Sequence, residues 1–246
     1  MTLFELRNVT KRFGKTLALD NVSLRVARGS LVGLVGRNGS GKTTLLHHVT
    51  GLVLPTSGTV HTLGVPAAAL DRAELARMGV VHQHDAMMDW MTAAQMLRYV
   101  SSFHERWDRQ LEERLVRELD VTLDQRIGAM SPGNRQKLSI VLATSHHPEL
   151  LLLDEPLSDL DPIARQTVIR LLLDRFMTDE MTIVISSHML HDIETVVDHI
   201  VCLEQGRIVA DDALDALKER HGMNLEQIFA LLAGGRAAGT REVMVP

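Results

Sequence analysis

The segment Gly36–Thr43 reads GRNGSGKT and constrains this 246-residue chain more than any other stretch. It fits the pattern G-x-x-x-x-G-K-[ST], in which the glycines let backbone N–H groups curl around a phosphate. The apolar run Leu31–Val35 before it is typical of a buried strand, and a helical pattern opens at Lys42. A chance glycine turn is the alternative, but the flanking elements favour a nucleoside-triphosphate site.

The residues of this loop have distinct predicted tasks. Lys42 reaches the β- and γ-phosphates, and Thr43 offers its hydroxyl to Mg²⁺. The predicted nucleotide-binding residues here are Gly36, Asn38, Gly39, Ser40, Gly41, Lys42, Thr43 and Thr44.

A second motif, LLLLDEP at Leu150–Pro156, places two carboxylates at the end of an apolar strand pattern. Asp154 is positioned to hold the phosphate-bound Mg²⁺, usually through water. Glu155 comes next, beside the γ-phosphate, where it can orient an attacking water or accept its proton. A solvated acidic strand end is the alternative, and the phosphate-binding loop in the same domain disfavours it.

Strand and helix patterns alternate along the chain and predict an α/β domain with a largely parallel sheet. The early runs FELRNV and NVSLRV alternate in polarity and indicate an antiparallel layer. Later strand patterns are GVVH, LLLLD, TIVIS and HIVCLEQGRIVA, and the predicted helices span 42–50, 92–104, 109–119, 132–146, 162–176 and 189–197. From about His84 to Ala129 the pattern is helical, which predicts a helical insertion.

Composition excludes several classes of protein. The net charge of −5 argues against a general grip on nucleic acid, which needs a basic face. The one cysteine, Cys202, lies in an apolar strand pattern, so we expect a buried thiol, no disulfide framework and a cytosolic protein. The longest uncharged stretch, 52–70, is broken by glycines and prolines and predicts no membrane span. The paired histidines have no cysteine or carboxylate residues nearby at the spacing that zinc ligands need, so no structural zinc site is predicted.

The stretch AMSPGNRQKLS at Ala129–Ser139 predicts a helix with an unusually bare tip. Ser131 is a good N-cap, and Pro132 suits the first helical position because its missing N–H has no partner there. Gly133 adds an unshielded N–H, and such a tip attracts anions. An ordinary capped helix is the alternative.

The order of these motifs resembles the nucleotide-binding subunit of an ABC transporter, from Leu3 to about Leu232. The motifs that carry the resemblance are, in order, the phosphate-binding loop, Gln83, SPGNRQ, LLLLDEP, LSDLD and His188. The family resemblance implies a RecA-like P-loop NTPase core with an antiparallel β layer and an inserted α-helical subdomain. It divides one domain into a core of 1–83 and 147–232, a helical subdomain of 84–146 that holds the signature helix, and a flexible tail of 233–246.

The family's signature motif LSGGQ aligns with Met130–Asn134, which reads MSPGN. By resemblance, the Ser131 hydroxyl and the Gly133 N–H bind the γ-phosphate held by the loop of a second copy. Pro132 and Asn134 depart from the family pattern, and Pro132 removes one N–H. We expect a working site slowed by these departures, with a degenerate, inactive site as the alternative.

The resemblance also implies roles for the remaining positions. Phe13 would stack on adenine, unless it is a simple core or edge aromatic. Gln83 would touch Mg²⁺ and the attacking water and link the core to the insertion, and His188 would hydrogen-bond the γ-phosphate. A generic loop glutamine and a structural strand-end histidine are the respective alternatives. The loop LSDLD would run along a dimer interface, although Asp159 departs from the family's SGLD.

The resemblance implies an ATP-hydrolysing subunit that pairs with a second copy and powers a separate transmembrane permease. The protein is then cytoplasmic, peripheral on the inner face of the cell membrane, and touches the membrane only through the permease. The methionines between Met87 and Met96 suit a docking groove for a permease helix, or else internal packing. The stretches FHERWD and LDALKERHGMNLEQIFALL look like bacterial exporters similar to antibiotic-resistance ATPases, so export is expected.

Three other functions are the alternatives to this one. Soluble ABC ATPases that work on ribosomes or DNA usually carry paired domains or a coiled-coil arm, and neither pattern occurs in this acidic sequence. A regulatory subunit that binds ATP without turnover conflicts with the intact Glu155 and His188. A GTPase fails for lack of the guanine-reading pattern N-K-x-D.

Overall fold

A computed structural model describes residues 1–83, 87–179 and 181–234. Its strands are β1 Thr2–Phe13, β2 Thr16–Ala27, β3 Leu31–Val35, β4 Ser57–Thr62, β5 Val65–Pro66, β6 Met78–Val81, β7 Leu150–Asp154, β8 Thr182–Ser187, β9 His199–Glu204 and β10 Arg207–Ala213. Its α-helices are α1 Lys42–Val49, α2 Arg72–Leu75, α3 Ala93–Ser101, α4 Arg109–Glu118, α5 Pro132–Thr144, α6 Pro162–Asp179, α7 Leu190–Ile193, α8 Leu214–His221 and α9 Leu225–Gly234.

The described strands form two sheets. A six-stranded sheet has the order β10-β9-β3-β8-β7-β6, in which only the edge strand β10 pairs antiparallel to its neighbour. A four-stranded antiparallel sheet has the order β2-β1-β4-β5. The predicted α/β fold, with a parallel sheet beside an antiparallel layer, is confirmed.

The six-stranded sheet is buried on both faces, as the unbroken apolar runs predict. Alternate residues of β7 and β8 point to opposite sides: Leu151 and Ile183 join the cluster that includes the helical region. Leu150 and Val184 join the cluster shared with α1 and the antiparallel sheet. Each such side chain stabilises the fold by about 1.5–3 kcal/mol when fully buried. Cys202 lies in β9 with a buried free thiol, as predicted.

The described residues between β6 and β7 form helices α3, α4 and α5 joined by turns, with no strand and one isolated bridge between Thr92 and Arg126. Helix α3 starts one residue later than predicted because Thr92 is its N-cap, in a capping box with Gln95. It also ends early, at Ser101, where the Ser101 and Ser102 hydroxyls donate to backbone carbonyls of the last turn. Residues 84–86 at the predicted start of the insertion lie outside the described residues.

The sequence patterns do not predict two tight hairpins. Leu63 and Gly64 join β4 to β5, and Gln205 and Gly206 split the predicted run HIVCLEQGRIVA into β9 and β10. All four residues have φ between 48° and 90°, which suits the two-residue turns that match strand twist. Leucine and glutamine at left-handed positions are uncommon, so neither turn carries the usual Asn-Gly signal.

At the carboxyl end, α9 continues to Gly234, which is past the predicted start of the tail at 233. The remaining tail, 235–246, lies outside the described residues, so its predicted looseness stays a prediction. Among the residues that the structure describes, no helix has both the length and the apolar character needed to cross a bilayer.

One buried histidine joins the helical region to the core, and a second histidine stacks on it. The rings of His104 and His146 lie 4.0 Å apart with planes inclined by 27°, and Trp107 packs beside both. Nε2 of His146 lies 3.0 Å from the Met78 carbonyl oxygen, so this nitrogen carries the proton and donates it. Burial, followed by the nearby His104, lowers the pKa of His146 to about 4.

We predict that acid loosens this contact. Folding lowers the pKa of His146 from 6.5 to about 4, so the unfolded chain binds more protons between these values. The free energy of unfolding therefore falls as the pH drops through that window, by about 2 kcal/mol at about pH 5. Urea denaturation at pH 7 and about pH 5 measures this loss. His146→Gln keeps a hydrogen-bond donor toward Met78, and its free energy of unfolding should fall less than that of wild type. The exposed-site control His61→Gln should match wild type.

Candidate nucleotide-binding and hydrolysis site

The loop between β3 and α1 is packed too tightly for side chains at several positions. A Cβ on Gly36 would lie 2.3 Å from the Leu203 carbonyl oxygen, and one on Gly41 would lie 2.6 Å from the Ala18 carbonyl oxygen. Gly41 also has φ of 109°, which only glycine adopts without strain. The loop thus packs closely against the backbone of β2 and β9, and its conformation depends on these glycines.

The amino terminus of α1 is suited to an anion. Its N-cap is Gly41, which provides no side-chain hydrogen bond to the first turn. Helices α2 to α5, by contrast, are capped by Asp71, Thr92, Asp108 and Ser131. The α1 N–H groups therefore have no side-chain cap and point toward the loop. The Ser40 hydroxyl is also buried without a partner within the described structure. These features fit a phosphate group.

A pocket of about 240 Å³ opens in front of this loop. It brings together most of the predicted site, and its lining residues are Thr16, Leu17, Ala18, Asn38, Gly39, Ser40, Gly41, Lys42, Thr43, Thr44, Gln83 and Glu155. Gln83 is exposed, follows the end of β6 and lines the same pocket as Thr43. The polar groups gathered here are backbone N–H groups, a lysine, a hydroxyl, an amide and a carboxylate. These are the hydrogen-bond donors and metal ligands that a Mg²⁺-bound triphosphate needs.

A buried ion pair lies at the back of the pocket. Nζ of Lys42 lies 3.2 Å from Oε1 of Glu155, and the two side chains are 6% and 5% exposed. Lys42 also donates to the Gly36 carbonyl oxygen at 2.7 Å. Oε1 makes no well-aligned hydrogen bond, so charge attraction at contact distance is what joins the two groups. A buried carboxylate without a cation would strongly destabilise the fold. Each charge of the pair therefore offsets the cost of burying the other.

Glu155 is held in a strained backbone conformation. Its φ is 51°, in the left-handed region, which costs a non-glycine residue about 1 kcal/mol. Its N–H donates to the Ser186 hydroxyl at 2.9 Å, and its carbonyl accepts from the Ser158 hydroxyl at 3.0 Å. Its second carboxylate oxygen lies 2.8 Å from Nδ1 of His188. Strained backbone conformations are common at functional sites. Here the conformation of Glu155 accompanies contacts of its one carboxylate with both Lys42 and His188.

Ser186 is a candidate positioning residue that the sequence patterns did not single out. Its hydroxyl accepts from the Glu155 N–H and donates to Oδ1 of Asp154 at 2.6 Å, so it orients both acidic residues. Asp154 is 4% exposed and lies opposite Ser186 in the β7–β8 ladder. The available signal was the paired serines at the end of TIVISS, because neighbouring parallel strands end at the same sheet edge.

Phe13 occupies a more peripheral position than the other predicted residues. It ends β1, is 49% exposed, and lies under the Lys11 ammonium group, which is 4.9 Å from the ring centroid. It is not among the residues that line the pocket, although Thr16 in the next strand is. Its predicted contact with adenine stays a prediction.

The predicted signature helix begins as expected. Ser131 caps α5 by accepting the Asn134 N–H at 3.3 Å, and Pro132 is the first helical residue. Ser131 and Gly133 line a second pocket, of about 320 Å³, with Lys137 and residues of the loop LSDLD. This second pocket shares no residue with the one at the phosphate-binding loop. Within one chain, the two parts of the predicted site therefore lie apart.

The sequence matches the family model of ABC transporters over residues 19–158. It is 34% identical over 228 residues to the uncharacterized ABC transporter ATP-binding protein YxlF of Bacillus subtilis, covering 91% of this chain and 75% of that protein. It is 33% identical to the bacitracin transport ATP-binding protein BcrA of Bacillus licheniformis, covering 92% of this chain and 74% of that protein.

Solved structures agree with this match. The structure of an ATP binding subunit of an ABC transporter superposes with a TM-score of 0.85 at 27% identity, covering 94% of this chain and 99% of that chain. A dimeric ATP-binding cassette with ADP and phosphate bound shares the fold, with a TM-score of 0.76 at 24% identity, over 86% of this chain and 98% of that chain. The chain belongs to the ABC transporter family and is an ATPase of that family.

We predict that removing the Ser186 hydroxyl impairs turnover. Ser186→Ala leaves Asp154 and the Glu155 N–H without their shared partner, which we expect to cost about 1–3 kcal/mol of stability and to lower kcat about tenfold. ATP binding to the loop should change little. Ser187→Ala is the matched control, since the Ser187 hydroxyl contacts only Met189 among the hydrogen bonds described. Steady-state ATPase assays compare the two, and equal turnover would contradict the positioning role.

Proposed function

We propose that this chain binds and hydrolyses Mg·ATP in a pair of copies and so powers a separate membrane permease. One observation carries the proposal: a buried glutamate at the end of β7 contacts both the phosphate-loop lysine and a histidine. An ion pair with a purely structural role needs no strained backbone, no third polar partner and no open pocket. This pair has all three at one point.

The phosphate-binding residues act by position and charge. The N–H groups of the loop and of α1 would hold the β- and γ-phosphates, with Lys42 as the cation. Thr43, Gln83 and Asp154 would hold Mg²⁺, which when bound neutralises negative charge on the phosphates. Asp154 already has one carboxylate oxygen oriented by Ser186, which leaves the other available.

Glu155 would direct the attacking water toward the γ-phosphate and accept its proton. His188 holds one carboxylate oxygen of Glu155 at 2.8 Å and would itself hydrogen-bond the γ-phosphate. The other oxygen contacts Lys42, and a triphosphate competes for that lysine because it carries more negative charge. Nucleotide binding would therefore release Glu155 from Lys42 at the moment when its carboxylate is needed.

A second copy would complete the site. The phosphate loop and the Ser131 helix tip line separate pockets of one chain, so neither pocket alone surrounds a triphosphate. In a pair arranged head to tail, Ser131 and the Gly133 N–H of each copy would face the γ-phosphate held by the other. ATP binding and pairing are then linked, since ATP would contact more groups in the closed pair than in the single chain and so bind the pair more tightly.

The permease would dock in a groove beside Gln83. The groove lies between β6 and α3, and its apolar lining residues are Leu75, Met78, Val80, Met87, Met96, Val100, Phe103, Leu142 and Ala143. Met87 lines it while also packing on the core, and Met96 is 7% exposed, so these methionines contribute to both predicted uses. A groove of about 730 Å³ with methionine and phenylalanine walls suits a short helix of a partner.

The direction of transport is proposed as export. The relatives differ: several are Nod factor export ATP-binding proteins, as in Rhizobium meliloti, and one from Rhizobium johnstonii is a phosphonates import ATP-binding protein. The Nod factor export relatives, together with the stretches FHERWD and LDALKERHGMNLEQIFALL of this chain, support export. The chain would then lie on the cytoplasmic face of the membrane, bound through its permease.

We predict that Glu155→Gln traps an ATP-bound dimer. The amide keeps the shape of the side chain but cannot accept a proton, so kcat should fall at least about 100-fold while closure persists. Sedimentation with saturating Mg·ATP should show a dimer for this variant. The double variant Lys42→Ala with Glu155→Gln is the control and should stay monomeric. A monomeric Glu155→Gln chain at saturating ATP would contradict paired closure.

We predict that Gly133→Leu abolishes ATPase activity and spares ATP binding by the single chain. Even a Cβ at this position would lie 2.7 Å from the Asp159 carbonyl oxygen, so the helix tip or the adjacent loop must shift. The phosphate-binding loop lies in the other pocket and is not touched. Binding of a fluorescent ATP analogue serves as the control measurement. Unchanged turnover would contradict the assignment of Gly133 to the partner's nucleotide.

A further inference from the structure

The turn between β9 and β10 lies directly against the phosphate-binding loop. It consists of Gln205 and Gly206, between the paired residues Glu204 and Arg207. Gly206 is buried, and its N–H donates to the Ser40 carbonyl oxygen at 2.8 Å. Ser40 belongs to the loop and lines the nucleotide pocket. A hydrogen bond from outside the loop therefore holds part of the loop's backbone.

This hydrogen bond also fixes the direction of a donor at the pocket. In a planar trans peptide the C=O and the N–H point in opposite directions. The Ser40 carbonyl faces the turn, so the N–H of Gly41, in the same peptide unit, points away from the turn. Gly41 lines the nucleotide pocket and is the N-cap of α1. Backbone N–H groups at such a position are the donors that bind phosphate.

The turn is itself held against β2. The Gly206 carbonyl oxygen accepts from the Asp20 N–H at 2.8 Å, so one residue bonds both the loop and β2. Arg207 adds an ion pair with Asp20 and donates from Nε to Oδ2 at 2.8 Å. A Cβ on Gly206 would lie 2.8 Å from the Ala18 carbonyl oxygen, and its φ is 77°. Both the close approach and the left-handed backbone require glycine here.

We propose that Gly206 is a positioning residue that sets the affinity of the phosphate-binding loop for ATP. It acts through Ser40 and Gly41 and reaches no reacting group. Glu155, by contrast, is oriented by Ser186 and His188, which lie on another part of the sheet edge. The turn should therefore affect nucleotide binding more than the chemical step. This inference rests on the proposed role of the loop and adds a residue to it.

A glycine in a similar turn provides the matched control. Gly64 is the second residue of the two-residue turn between β4 and β5, as Gly206 is between β9 and β10, and its φ is 90°. Among the described residues, a Cβ on Gly64 would meet nothing within 4 Å. Gly64→Ala therefore carries the strain of a left-handed alanine without the collision. A difference between the two variants measures the close packing of Gly206.

Steady-state ATPase assays test the proposal. Gly206→Ala forces the turn to shift and weakens its bond to Ser40, so we expect KM for ATP to rise at least about tenfold while kcat stays within about twofold. Gly64→Ala should keep both constants within about twofold of wild type. A merely structural role would lower the active fraction, and so the apparent kcat, at unchanged KM. That result, or an equal KM in the two variants, would overturn the proposal.

A second pair of variants decides the question if Gly206→Ala does not fold. Arg207→Ala removes the ion pair with Asp20 and adds no atom, so the turn loosens without a collision. We expect KM for ATP to rise about threefold. Arg25→Ala is the control because it removes a similar exposed ion pair, to Glu5, within the antiparallel sheet. Equal KM values for the two arginine variants would then overturn the proposal.

Direct binding separates this proposal from the proposed function. Absence of ATPase activity in wild type would overturn the proposed hydrolysis. Binding of a fluorescent ATP analogue would still report on the turn, because it requires no turnover. We expect the analogue to bind Gly206→Ala at least about tenfold more weakly than Gly64→Ala. Equal affinities of the two variants would overturn the positioning role of Gly206.

Discussion

The buried contact between Lys42 and Glu155 is the interaction on which the rest of the site depends. Both groups lie almost fully out of water, 3.2 Å apart. Removing either would leave an uncompensated charge, so the pair must be maintained until another charge replaces one member. A triphosphate can be that replacement for the lysine. Under the proposed function, the contact that neutralises both charges without nucleotide would hold the glutamate back until phosphate arrives.

Parallel strand order brings the reacting groups together. β7 lies between β6 and β8, and β8 lies between β7 and β3, so four strands end along one edge of the sheet. That edge presents Asp154 and Glu155, then Ser186, beside the loop that follows β3. Helix α1, which starts at the same edge, adds the partial positive charge of its amino terminus. Convergence of strand ends is therefore what converts separate motifs into one pocket.

In the described residues the helical region meets the core through one shared apolar cluster rather than through sheet pairing. His146 of this region stacks on His104 and donates to the Met78 carbonyl of β6, whereas the contact of His82 with His47 lies within the core. Both contacts line or adjoin the groove next to β6. Because β6 is an edge strand, its far side is free to receive side chains from the helices. Movement of this groove would reach Gln83 through one residue, His82.

Sequence patterns alone determined the local features: the glycine loop before α1, the Ser131 cap with Pro132, the acidic end of β7, and the alternation that makes an α/β fold. These depend on backbone conformation and residue spacing over a few positions, which the sequence displays directly. Only the tertiary structure showed that Ser186 bridges Asp154 to Glu155, that Glu155 contacts Lys42, that His47 meets His82, and that Gly133 lies against Asp159. Those contacts join residues distant along the chain, and strand order and register decide them, which no local pattern encodes.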